Sequence, residues 1–210
     1  MTTKLHILNQ SGRLEPYVNV IKKSYEEVIV KIENKISIPN VDIIVADAPD
    51  GAILEMGVGG NSYTPHIVFI SINPNFLDLD KTISAEIKSV LAHELHHCVR
   101  MKSIGYGTTL LQALITEGLA DHFDIEINNT NPRPWSIAIH GKDLEIIRKM
   151  AEKIFNENYN HFDWFFGSEK NNIPRWSGYS LGFDIVCNYL KLTNKKASEL
   201  VSVDASEFIK

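Results

Sequence analysis

Apolar residues in the first third of the chain follow two different periods. In "EPYVNVIKKSYEEVIVKIENK" (15–35), Val18, Ile21, Tyr25, Val28 and Ile32 recur at spacings of three and four. That spacing predicts an amphipathic helix, stopped before Pro39. "VDIIVADA" (41–48) is a strand pattern closed by Pro49-Asp50-Gly51. "AILEMGVGGN" (52–61) predicts a second short strand running into a glycine-rich turn. "HIVFISI" (66–72) is apolar at both alternating sets of positions, so the third strand is expected to be well buried.

After residue 80 the helical period takes over. Helices are expected at 82–103, 109–127, 143–158 and 178–192, with a short one near 195–201. The stretches 128–141 and 163–177 hold Pro132, Pro134, Gly167, Asn171, Asn172 and Pro174 and are expected to be loops. Strands followed by helices predict an α+β fold. The expected organisation is a single domain over 1–210. Its first 80 residues supply a helix and a small mixed sheet, and residues 81–210 are mainly helical.

Composition narrows the functional classes. The chain has 210 residues, 44% hydrophobic and 22% charged, with a net charge of -5. No basic helix face stands out, so nucleic acid is not an expected partner. No apolar run approaches the 18 residues or so of a membrane span. "MTTKLHILNQSGRLEPYV" lacks the apolar core of a signal peptide, which makes the cytoplasm the expected location. Cys98 and Cys187 are then expected to be buried free thiols.

The chemistry concentrates in "HELHHCVR" (93–100). On a helical wheel with His93 at zero, His97 falls at about 40° and Glu94 at about 100°, both at one edge of the apolar stripe. His96 falls at about 300°, beside Ser89 and Arg100, away from that stripe. His93 and His97 can therefore share one tetrahedral ion. Glu94 can reach a water on that ion without displacing it. His96 is expected to be a polar surface or supporting residue.

A catalytic zinc takes three protein ligands and leaves one position open. In "LLQALITEGLADHFDIEI" (110–127), Glu117 and Asp121 lie at the edge of the apolar arc. Glu117 is expected to complete a His-His-Glu set, and Gly118 to let this helix approach the first one closely. Asp121, one turn later, is placed to accept a hydrogen bond from a ligand imidazole. His122 lies in the buried arc and is expected to be a satisfied core histidine. His66, His140 and His161 are isolated and expected to be ordinary.

With "HELHH" followed by "EGLAD", the chain resembles gluzincin-type zinc metallopeptidases. More closely it resembles the predicted zinc-dependent protease family typified by YjaZ-like proteins. "LAHELHHCVR", "GYGTTLLQALITEGLADHF" and "IPRWSGYSLGFDIVCNYL" carry that resemblance. It implies a zincin-like fold and a peptide or protein substrate.

The expected reaction is peptide hydrolysis with one Zn2+ per chain and Glu94 as general base. The oxyanion needs a further donor. Tyr179, in the first turn of the last long helix, and Arg175 nearby are the candidates. Tyr179 also shares an apolar face with Phe183, Val186 and Leu190, so a core role is its alternative. In zincins the edge strand above the metal pairs with extended peptide, and "HIVFISI" is the expected cleft wall. Two other functions compete. One is a regulatory zincin-fold protein that binds or processes one specific partner. The other is a non-catalytic zinc-binding module, which would have no need of Glu94.

Overall fold

A computed structural model of the chain describes residues 2–210. The chain forms two compact units, the first ending at Lys102 and the second beginning at Ser103.

The first unit is built on a four-stranded mixed sheet in the order β1-β2-β4-β3. β1 (Thr3–Leu8) and β2 (Val41–Asp47) run parallel, as do β2 and β4 (Ile67–Ile72), whereas β3 (Val58–Thr64) is antiparallel to β4. Parallel neighbours need a crossover, and α1 (Val18–Glu33) supplies it between β1 and β2. Helix α1 buries Ile21, Tyr25, Val28, Ile29 and Ile32, the stripe its period predicts. Helix α2 (Leu79–Ser103) lies beside it. Ser24 and Ser84 hydroxyls meet at 2.9 Å and Lys88 pairs with Glu27.

Three expectations change here. Strand β1 is additional to the three expected. It alternates weakly, because only one of its six residues is buried and Lys4 and His6 interrupt its apolar positions. "HIVFISI" is buried, with Val68, Ile70 and Ile72 at zero exposure. It is paired on both sides, however, so it is an interior strand, and the outer strand next to it is β3. Gly59 and Gly60 lie within β3 rather than in a turn.

The second unit is helical. Helix α3 (Leu110–Asn128) is its axis and is buried along most of its length. A capping box starts it: Thr109 accepts from the Gln112 backbone, and the Gln112 side chain accepts from the Thr109 backbone. Asn129 ends it in the left-handed conformation. Helix α6 (Ser177–Thr193) packs along it, and α4 (Gly141–Glu152) and α5 (His161–Phe166) pack on α6. Helix α5 was not expected, since six residues are too few to show a period. Asn160 starts it by accepting from the Asp163 backbone.

Gly118 serves α6. A Cβ on Gly118 would lie 2.3 Å from the Gly182 carbonyl oxygen, and one on Gly182 would lie 2.1 Å from that of Leu114. The two helices therefore touch backbone to backbone. Gly118→Ala is expected to destabilise the protein by on the order of 3 kcal/mol, despite alanine's better helix propensity, because two main chains must part. A thermal melt should show Tm lower by roughly 10 °C. Among the described residues no helix is long and apolar enough to cross a membrane.

Candidate metal centre

The C-terminal half of α2 presents His93 and His97 one turn apart. Their Nε2 atoms face each other at 2.9 Å, with ring planes at 89°. Two imidazole nitrogens at that spacing need a proton or a cation between them. On one tetrahedral zinc they would sit about 3.3 Å apart, a small side-chain adjustment away.

Glu94 is 6% exposed and lies under the outer strand. Its Oε2 accepts a 2.6 Å hydrogen bond from Ser62, whose oxygen is also 2.9 Å from the Glu94 carbonyl. A Cβ on Gly60 would fall 2.8 Å from Glu94 Oε1 and 2.5 Å from Val90. Strand β3 thus carries a glycine where the carboxylate needs room and a serine where it needs a donor. Cys98 extends the chain of contacts, its thiol 3.8 Å from the Ser62 hydroxyl and 3.7 Å from the Thr64 carbonyl. Burial pushes the Cys98 thiol up to about 12, so it stays protonated. Cys98 is the buried free thiol expected, while Cys187 is only partly buried.

Of the two roles expected for His96, the surface one does not hold. His96 is fully buried, as are Ser89 and Arg100 on the same side of α2. The wheel separates apolar from polar faces, but this half of the helix is enclosed on both.

In the second unit, Glu117 is 5% exposed in the middle of α3. The Tyr106 hydroxyl donates to its Oε1 at 2.5 Å. Burial first, then the charge of Glu117 and this hydrogen bond, raise Tyr106 well above the ordinary tyrosine range. Tyr159 is pushed up to about 12, chiefly by burial and then by Glu117. Both phenols therefore stay protonated. The Tyr159 hydroxyl lies 3.0 Å from His161 Nδ1, and the His161 ring stacks on Phe165.

Asp121 is 1% exposed and accepts from Ser136 at 2.6 Å and from the Trp135 indole at 3.2 Å. His122 stacks on Phe183, its Nε2 3.0 Å from the Phe183 carbonyl oxygen. Burial lowers its pKa, which makes it the satisfied histidine expected from its place on the wheel. Tyr179 is half-buried, its ring 4.8 Å from Phe165 and 6.2 Å from Trp135. Arg175 is exposed, with its guanidinium 4.1 Å over Trp176. Trp176 precedes α6 with φ at 70°, a conformation rarely adopted by a bulky residue.

Among the described residues, one group of side chains could hold a metal ion. His93, His97 and Glu117 each offer a ligand atom, and these atoms lie within 4.8 Å of one another. Two neutral nitrogens and one carboxylate form a donor set that suits zinc. Sequence reasoning overlooked Ser62 and Tyr106. A serine in a strand carries no distinguishing signal. Tyr106 could have been found, because the glycines on both sides of it mark a specially shaped loop.

Comparison with known proteins agrees with this chemistry. The uncharacterised protein YjfC of Bacillus subtilis (strain 168) is 25% identical over 181 residues, covering 80% of this chain and 58% of the relative. The uncharacterised protein YjaZ of the same organism is 27% identical over 131 residues, covering 59% of this chain and 49% of the relative. The chain thus spans about half the length of the curated relatives it matches. No solved structure matches it significantly. Residues 18–210 match a family profile, and the chain belongs to that family, described as "Predicted Zn-dependent protease (DUF2268)".

Proposed function

We propose that the chain is a zinc metallopeptidase that hydrolyses peptide bonds, with His93, His97 and Glu117 as the metal ligands and Glu94 as general base. The grouping of two imidazoles and a carboxylate within 4.8 Å carries this reading. Zinc, when bound, lowers the pKa of a water to about 7 and polarises a carbonyl.

The chain's own residues do the rest. Glu94 takes a proton from the attacking water and gives it to the leaving amine. Ser62 holds Oε2, which leaves Oε1 over Gly60 for the proton. Asp121, fixed by Ser136 and Trp135, is the proposed partner of a ligand imidazole. An extended peptide would run along β3, the outer strand, with its main chain beside Glu94. Tyr179 is the proposed oxyanion donor, with Arg175 second to it.

The alternatives weigh less. A non-catalytic zinc module has no use for a buried carboxylate held by a serine. A regulatory protein that processes one partner would use the same site and differ only in substrate.

The test is hydrolysis of a mixed peptide library read by mass spectrometry. Cleavage is expected, lost with a chelator and restored by zinc. Tyr179→Phe is expected to lower kcat with little change in zinc content. An unchanged kcat removes Tyr179 from the mechanism.

A further inference from the structure

The segment "GYGTT" (105–109) joins α2 to α3, and the proposed chemistry assigns it nothing. Its construction is specific. Gly105 and Gly107 both have positive φ, 84° and 100°. A Cβ on Gly107 would lie 2.3 Å from the Gln112 side chain. Gln112 Oε1 accepts from the backbones of both Thr108 and Thr109, and the Thr116 hydroxyl donates to the Tyr106 carbonyl at 3.1 Å. The backbone from Tyr106 to Thr109 is therefore tied to the first two turns of α3. The product of all these contacts is one phenol held against Glu117 Oε1.

We infer that Tyr106 is a positioning residue for the metal. Its hydroxyl fixes the plane of the Glu117 carboxylate, so that this carboxylate binds zinc through one oxygen and in one orientation. The inference rests on the proposed role of Glu117 as a ligand. A carboxylate free to rotate can bind through either oxygen or both, and must lose that freedom when the metal arrives. A hydrogen bond to the ligand removes it beforehand, and losing such a bond typically costs about 10- to 100-fold in metal affinity. Tyr159 provides the contrast. It is also a phenol that feels the charge of Glu117, but its hydroxyl is engaged with His161.

The experiment compares wild type, Tyr106→Phe, Tyr159→Phe and Glu117→Gln. Zinc affinity is measured by competition with a chromophoric chelator, and the visible spectrum is recorded after loading with Co2+. Tyr106→Phe is expected to lose about 10- to 100-fold in affinity and to weaken the intense bands of four-coordinate cobalt as the carboxylate becomes bidentate. Tyr159→Phe is expected to match wild type in both. If Tyr106→Phe matches wild type while Glu117→Gln loses zinc, the positioning role is overturned and the metal site stands. Equal losses in the two tyrosine variants also overturn it, since the effect would then not follow the hydrogen bond. If wild type and Glu117→Gln bind zinc alike, the ligand assignment fails and the inference with it.

Discussion

Glu94→Gln is expected to lower kcat by about 10²- to 10⁴-fold, the usual worth of a positioned general base, while the protein keeps its zinc. Glutamine has nearly the same shape, so the fit of this side chain beneath Gly60, beside Val90, should survive. The Ser62 hydroxyl can still donate to an amide oxygen, so the helix and strand should stay in contact. What disappears is the capacity to take up a proton. The result therefore separates chemistry from structure. Assays of kcat alongside zinc content and Tm check it. A variant with intact zinc, intact Tm and wild-type kcat would remove Glu94 from the reaction. Loss of zinc together with activity would mean that Glu94 acts on the metal site rather than on the proton.

The legible parts of the fold were those with a long period. Helices α1, α2, α3 and α6 each run for four turns or more, and their stripes place them to within a few residues. Strand β1 and helix α5 were illegible because six residues, most of them exposed or polar, carry almost no period. The roles of β3 and β4 were legible in principle. A strand apolar on both faces belongs inside a sheet, whereas Gly59, Gly60, Asn61 and Ser62 suit an outer strand.

At the site, the wheel brings His93, Glu94 and His97 to one edge of α2 from local geometry alone. Glu117 required a second helix, and its edge position with Asp121 one turn on was the local signal. The wheel could not reveal that His96, away from the apolar stripe, is fully buried, because enclosure depends on what packs around a helix and not on the helix itself. Gly118 was read as a close approach, and the close approach seen is to α6. Its neighbour is Gly182, 64 residues further on, and only the folded chain shows which backbone it meets.

Loss of zinc from Glu117→Ala is the second large effect. His93 and His97 come from adjacent turns of one helix, and two ligands alone bind zinc weakly. The third ligand turns a pair into a site that keeps an open position. Its carboxylate also offsets part of the cation's charge in a place where Glu117 is only 5% exposed. Removing it should abolish stoichiometric zinc at micromolar protein. His96→Gln should keep the metal, since His96 is not one of the three grouped donors.

Metal content by elemental mass spectrometry tests the central claim most directly, on protein purified without added metal, for wild type, Glu117→Ala and His96→Gln. The account predicts one zinc per chain in wild type and His96→Gln, and almost none in Glu117→Ala. Absence of metal from wild type, or its retention without Glu117, would contradict the account.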